Sequence, residues 1–411
     1  MNPRQALVEA TRACIRGEQV HWAQDALTEQ DWEELVVLAR EQKVVPMLAH
    51  SCYGAASFLA QSGEFRATLL GRSRQMVGAG ARRSAALAVL WHRLEQAGFR
   101  CVIMKGAACA ATYTTGGVRL SSDEDILVPE EQFAACIDFL LQQGFTYTAQ
   151  PQGEDEFEVG LERRDGLYLE MHRTPFAPDD PILGGCNRWF AGYGERAMDI
   201  VADGTALRVL GPQDHMVLLI VHAFKHLLGS GLGLRQICDT VLWAEHYGGQ
   251  IDWQDVLEKC RSLRAAGFAA SVFRLGQLYL DFDPQKACLP DGLLGGEETA
   301  ALLLEDLLSG GIYGKASHSQ LHSSTITRNA VAADRRGEKS SLLGTVFPPR
   351  SQLERDYPYL CRTALLLPVA WISRLVRYGA EVLKKKDSGV SEAVRIGRTR
   401  TDLLRRLDVL D

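Results

Sequence analysis

The chain has 411 residues, 46% of them hydrophobic and 23% charged, with a formal net charge of -6. That length suits two or three packed units with a substantial core, and the composition is that of an ordinary globular protein. A mildly acidic total excludes global attraction to nucleic acid or acidic lipid, so any site for a polyanion must be local.

The opening MNPRQALVEATRAC lacks the long apolar core of a secretory signal. Ten scattered cysteines without a CxxC pair read as reduced thiols of a cytoplasmic protein rather than a disulfide framework or a zinc site. The first ninety residues read as helix. Thr28 and Asp31 form a capping box, after which Trp32, Leu35, Val36 and Ala39 share one face. A second helix runs from about Ser84 through Leu87, Leu90, Trp91 and Leu94 to a stop at Gly98.

The pattern then shortens. Phe99 to Met104 reads as a strand, Lys105-Gly106 follows, and an Ala-rich helix is predicted to about Tyr113. After the Gly116-Gly117 turn, SSDEDILVP reads as a second strand ended by Pro129. A helix over 130–143 stops at Gly144, an extended stretch starts at Phe145, and GLYLEMH (166–172) alternates as a strand. From Pro212 four helices are predicted; 311–350 reads as a loop or arm, and the last sixty residues return to helix.

The apolar run LCRTALLLPVAWISRLV (360–376) is too short to span a bilayer, which takes about twenty apolar residues. It reads as a buried or interface helix. The Lys384-Lys385-Lys386 run after it leaves peripheral membrane contact as the lesser alternative. The expected organisation is α+β: a small mixed sheet at 96–205, a helical region at 1–95, a helical domain at 206–310, and an arm with terminal helices at 311–411.

Alternate residues of a strand face one way, so Asp123 and Asp125 aim two carboxylates at one point. Like charges so placed favour an intervening cation, and paired hard oxygens suit Mg²⁺. Alone, the pair reads more simply as an acidic turn before a strand. Glu170 shifts that balance: Leu167, Leu169 and Met171 take one face of the later strand, leaving Tyr168, Glu170 and His172 on the other. If the two strands pair, three carboxylates converge as in two-metal sites. Lys105-Gly106 adds a cation and a flexible backbone at a helix start, where free amides favour phosphate.

These segments (VIMKG at 102–106, Arg119 with DEDILV at 123–128, and LEMH at 169–172) resemble the uncharacterised bacterial nucleotidyltransferase family of the polymerase-beta-like superfamily. HAFKH (222–226), LRQICD (234–239) and FPPRSQLERDYP (347–358) extend the resemblance over nearly the whole chain. It implies transfer of a nucleoside monophosphate from a nucleoside triphosphate, ATP favoured, to an unidentified hydroxyl acceptor, small molecule or protein, with release of pyrophosphate. Asp123, Asp125 and Glu170 would be catalytic and would hold two Mg²⁺ ions. Lys105 and Gly106 would contact the triphosphate. Weighed as residues, Arg119 reads either as a phosphate contact or as a cap on the Gly116-Gly117 turn, and His222, Lys225 and His226 either as contacts to phosphate or base or as a polar helix face packed on the catalytic domain. His172 reads either as orienting Glu170 or touching substrate, or as an ordinary exposed histidine. Glu124 departs from the family pattern, which has an apolar residue between the aspartates. It reads either as a further ligand or as a sign of a solvated back face, and it keeps a non-catalytic nucleotide- or protein-binding member as the alternative. Of the remaining motifs, Arg235 and Asp239 read as a surface ion pair and Trp243 as core.

Overall fold

Thr28 and Asp31 close the capping box expected of them: the Thr28 amide donates to the Asp31 carboxylate at 2.9 Å and the Asp31 amide to Thr28 Oγ1 at 3.2 Å. The helix they start, Glu29–Glu41, buries Trp32 and Leu35. Trp22, Phe58 and Phe65 pack around Trp32 with ring centroids 5.5–5.9 Å away. The next long helix spans Gly63–Gln96 and so begins well before the predicted Ser84. Its first half buries only Leu69, which leaves no apolar stripe for sequence reading to detect.

This computed structural model describes residues 1–151, 153, 156–229, 231–310 and 400–410, with isolated positions between 328 and 373. Almost all of FPPRSQLERDYP, most of the 360–376 apolar run, and Lys384 to Lys386 lie outside the described residues. No helix among the described residues is long and apolar enough to cross a membrane.

Seven strands form one mixed sheet: β1 (Val102–Ile103), β2 (Glu124–Leu127), β3 (Thr146–Tyr147), β4 (Glu158–Glu162), β5 (Tyr168–His172), β6 (Met198–Ala202) and β7 (Thr205–Val209). Their order is β3-β4-β5-β2-β1-β7-β6, with β5 parallel to β2 and β2 antiparallel to β1. Helices precede and follow the sheet in sequence, so the α+β arrangement holds. The sheet runs on to Val209, past the edge at 205 read from the sequence. The Asp203-Gly204 turn carries the signal for that last hairpin: both residues have positive φ (49° and 79°), as a tight two-residue hairpin turn requires. The Ala-rich helix after Gly106 is a single turn, Ala107–Ala110, rather than a run to Tyr113.

From Pro212 the four expected helices are Pro212–Leu228, Leu234–Tyr247, Trp253–Ser262 and Ala266–Tyr279. The first two lie against each other and form one wall of the cavity described next. Trp243 is fully buried, stacked on His215 with centroids 3.8 Å apart.

Candidate active site

The parallel pairing of β2 with β5 sets Asp125 directly opposite Glu170 and Leu127 opposite His172. Apolar Ile126, Leu127, Leu169 and Met171 are fully buried and hold that register. One ligand atom each from Asp125, Glu170 and His172 lies within 4.8 Å of the others, a spacing that a metal ion could bridge. Asp123 precedes β2 and lines the same cavity outside that trio. The cavity, of about 780 Å³, is within the range of small-ligand sites.

Lys105 stands at the centre of the charge balance. Its ammonium is 2.8 Å from Asp125 Oδ1 and 2.9 Å from His222 Nε2. An ammonium only donates, so His222 Nε2 accepts, and His226 Nε2, 3.3 Å from the same nitrogen, must be the donor of that contact. Burial, then the nearby Lys105 charge, press both imidazoles below their ordinary range, His226 to about 3. Burial pushes the Asp125 carboxyl up, yet Lys105 and His172 outweigh it and hold it well below the usual carboxylate range. Burial works against the Lys105 charge too, and Asp125 raises its pKa despite that.

Glu170 goes the other way. Burial first, then repulsion from Asp125, Glu158 and Asp123, raise its carboxyl to about 8. His172 is nearly buried, and both of its ring nitrogens lack a hydrogen-bond partner. Its Nε2 lies 3.4 Å from Asp125 Oδ1 and 3.9 Å from Glu170 Oε2, and its Nδ1 lies 3.6 Å from Glu158 Oε2. A buried imidazole without partners, set among carboxylates, offers a donor set that could hold a divalent cation.

Glu124 neither joins that cluster nor faces solvent as a ligand would. Its Oε2 accepts from the Ala107 amide at 3.0 Å, at the start of the one-turn helix after Gly106. The carboxylate fits there because position 106 is glycine: φ is +56°, and a Cβ would fall 1.8 Å from Glu124 Oε2. Burial first raises the Glu124 carboxyl, to about 7, against the pull of that amide. The amide read as a phosphate seat is therefore taken by a side chain.

Arg119 lines the cavity but is committed behind it. Its Nη2 and Nε bond Asp239 at 2.7 and 3.2 Å, and Tyr113 donates to the same carboxylate at 2.7 Å; only Nη1 lacks a partner. Asp239 is thus buried and paired with Arg119, which corrects its reading as half of a surface pair with Arg235. Arg235 instead donates to the Leu120 carbonyl at 2.6 Å. The i,i+4 rule fails here because Leu234–Tyr247 is a buried wall, not a surface helix.

His222, Lys225 and His226, from Pro212–Leu228, all line the cavity. Sequence reading missed Lys43, Glu158, Arg235 and Gln236, which line it too. Alternation in EVGLE would have placed Glu158 on a strand beside His172; nothing local marks Lys43.

A model of the family described as uncharacterised nucleotidyltransferase matches residues 28–281, which is more than half of the chain and includes every cavity residue named above. The crystal structure of an antigenic nucleotidyltransferase-like protein from Paracoccidioides brasiliensis is similar over 53% of this chain and 96% of its own, at 13% identity and a TM-score of 0.34. No curated protein matches the chain.

Proposed function

The chain belongs to the family of uncharacterised nucleotidyltransferases, and from that premise we propose that it moves a nucleoside monophosphate, AMP by preference, from a triphosphate to a hydroxyl acceptor. The observation that carries this reading is the Asp125–Glu170 register, which sets two carboxylates side by side with His172 next to them. Asp125, Glu170 and His172 are the residues proposed to hold a divalent cation, Mg²⁺ by preference, and Asp123, which lines the same cavity, is proposed for a second ion. Bound there, the cation would lower the charge on the α-phosphate and on the departing pyrophosphate.

The chain's own residues supply the rest. The acceptor hydroxyl oxygen forms a bond to the α-phosphorus, the bond to the bridging oxygen breaks, and pyrophosphate leaves. Glu170, once deprotonated, takes the hydroxyl proton. Lys105 and Lys225 line the same cavity and are the cations proposed for the triphosphate, with His222 and His226 fixing where Lys105 points.

Incubation with labelled ATP, GTP, CTP and UTP, Mg²⁺ and a cell extract tests the proposal. Label should pass to an acceptor with the wild-type chain and not with Asp125→Asn; equal transfer by both would remove Asp125 from the chemistry. The Lys105–Asp125 ion pair supports a second reading, a member that binds nucleotide without turnover. Calorimetric binding of Mg²⁺ and ATP with no transfer to any extract would favour it.

A further inference from the structure

A second cavity, of about 640 Å³, opens beside the first. Its walls come from Glu29–Glu41, Gly63–Gln96 and the segment before β2. Arg40, Lys43, Arg72, Arg83 and Arg235 line it, and no carboxylate does. In a chain of net charge -6, five cations on one groove form a local anion site. Burial first, and Arg235 second, press the Lys43 ammonium below its ordinary range. Arg83 is fixed by donating to the Ser121 carbonyl at 2.9 Å. Arg40 and Arg72 make no ion pair among the described residues.

Lys43, Ser121, Ser122 and Arg235 line both cavities, so the groove leads directly to Asp123 and the carboxylates beyond it. The first cavity already has Lys105 and Lys225 against its carboxylates, and Arg40, Arg72 and Arg83 line only the groove, outside the space assigned to a triphosphate. We infer that the groove binds a phosphate carried by the acceptor, so that the acceptor is a small phosphorylated molecule whose free hydroxyl reaches the carboxylates past Ser121 and Ser122. This rests on the nucleotidyl-transfer reading. Arginine forks match phosphate oxygens in pairs. No aromatic side chain lines the groove, so bases of a single strand would find no stacking platform. The volume suits a metabolite-sized ligand.

Titration of the full chain with inorganic phosphate, followed by ³¹P line broadening, tests the inference without any turnover. Arg40 and Arg72 are exposed on helix surfaces, so Arg40→Ala/Arg72→Ala should fold. That double variant should bind phosphate at least about tenfold more weakly. Arg4→Ala, an exposed cation that lines neither cavity, should stay within about twofold of wild type. Restoration of binding by Arg40→Lys/Arg72→Lys would support a charge-based site. Unchanged binding in the double alanine variant, equal loss in Arg4→Ala, equal affinity for succinate, or displacement by a single-stranded oligonucleotide but not by small phosphate esters would each overturn it. Absence of nucleotidyl transfer in a chain that binds phosphate as predicted would sink the parent reading and leave the groove an anion site.

Discussion

Asp239 and Asp125 line the same cavity, both nearly buried and each beside a cation. Around Asp239 the hydrogen bonding is closed: Arg119 grips it with two nitrogens and Tyr113 donates a third bond. Burial opposes its charge, but Arg119 holds its carboxyl below the ordinary range. Around Asp125 the accounts are open. One ammonium contacts it, an imidazole with no hydrogen bonds stands beside it, and the carboxylate next in register is pushed to about 8. A closed cluster of this kind holds elements together; an open one keeps capacity for a ligand. The same buried aspartate chemistry thus separates structure from function by how completely its partners are satisfied.

Asp239→Ala should produce the largest effect. It leaves Arg119 as a buried unpaired cation and should cost about 3–5 kcal/mol of stability, read from a urea midpoint. Asp125→Asn should cost less stability and more activity. The midpoint should fall by less than for Asp239→Ala, because the substitution takes the partner of Lys105 away but also relieves repulsion on Glu170. Transfer should fall by more than about a hundredfold, since even outer-shell changes at metal sites cost about 10–100-fold. The contrast breaks if Asp125→Asn unfolds the chain while Asp239→Ala is tolerated.

Glu124 sits between these extremes: half-buried, with one amide bond from Ala107, and raised to about 7. Gly106→Ala sharpens the comparison there. With φ +56° and ψ -113°, position 106 lies outside even the left-handed helical region, a strain of about 1–3 kcal/mol for an L-residue, and the added Cβ would displace the Glu124 carboxylate. A melting temperature lowered accordingly, restored in part by Glu124→Ala, would show that the carboxylate and the missing Cβ are matched to each other. No rescue would mean that only the backbone conformation matters.

What sequence reading could see depended on how local the cause was. Asp125 and Glu170 each sit on an alternating strand, so their faces were legible, and the β2–β5 register then brings the faces together. The capping box at Thr28 involves three consecutive bonds of one turn and was equally legible. Pairings across more than a hundred residues were not. Nothing in HAFKH says that Lys105 will reach His222, and nothing in LRQICD says that Asp239 will be claimed by Arg119. The i,i+4 spacing of Arg235 and Asp239 even pointed away from it. Lys43 was invisible for the same reason, since its importance comes from Arg235 and Ser121 being folded against it. β4 alternates as well, with Glu158, Gly160 and Glu162 on one face and buried Val159 and Leu161 on the other, so Glu158 was legible from the same local cause as Glu170.

The smallest effect is the one that tests the open cluster most directly. Glu170 has a carboxyl raised to about 8 from an ordinary value of 4.5. The folded chain therefore holds this proton more tightly than the unfolded chain does. The stability it contributes is fully present below about pH 4.5 and is lost as pH rises toward 8. A divalent cation needs the ionised form, so it must displace the proton. Mg²⁺ affinity should therefore strengthen by up to about tenfold per pH unit up to about 8 and level off above it. Calorimetry in buffers of different ionisation enthalpy should detect about one proton released per cation bound at pH 7. Glu170→Gln should abolish that release and flatten the pH dependence, whereas Asp239, already ionised and sealed by Arg119, should contribute nothing to it. A pH-independent affinity in the wild-type chain would mean that the cation avoids Glu170. The carboxylate facing Asp125 would then be part of the scaffold, as Asp239 is.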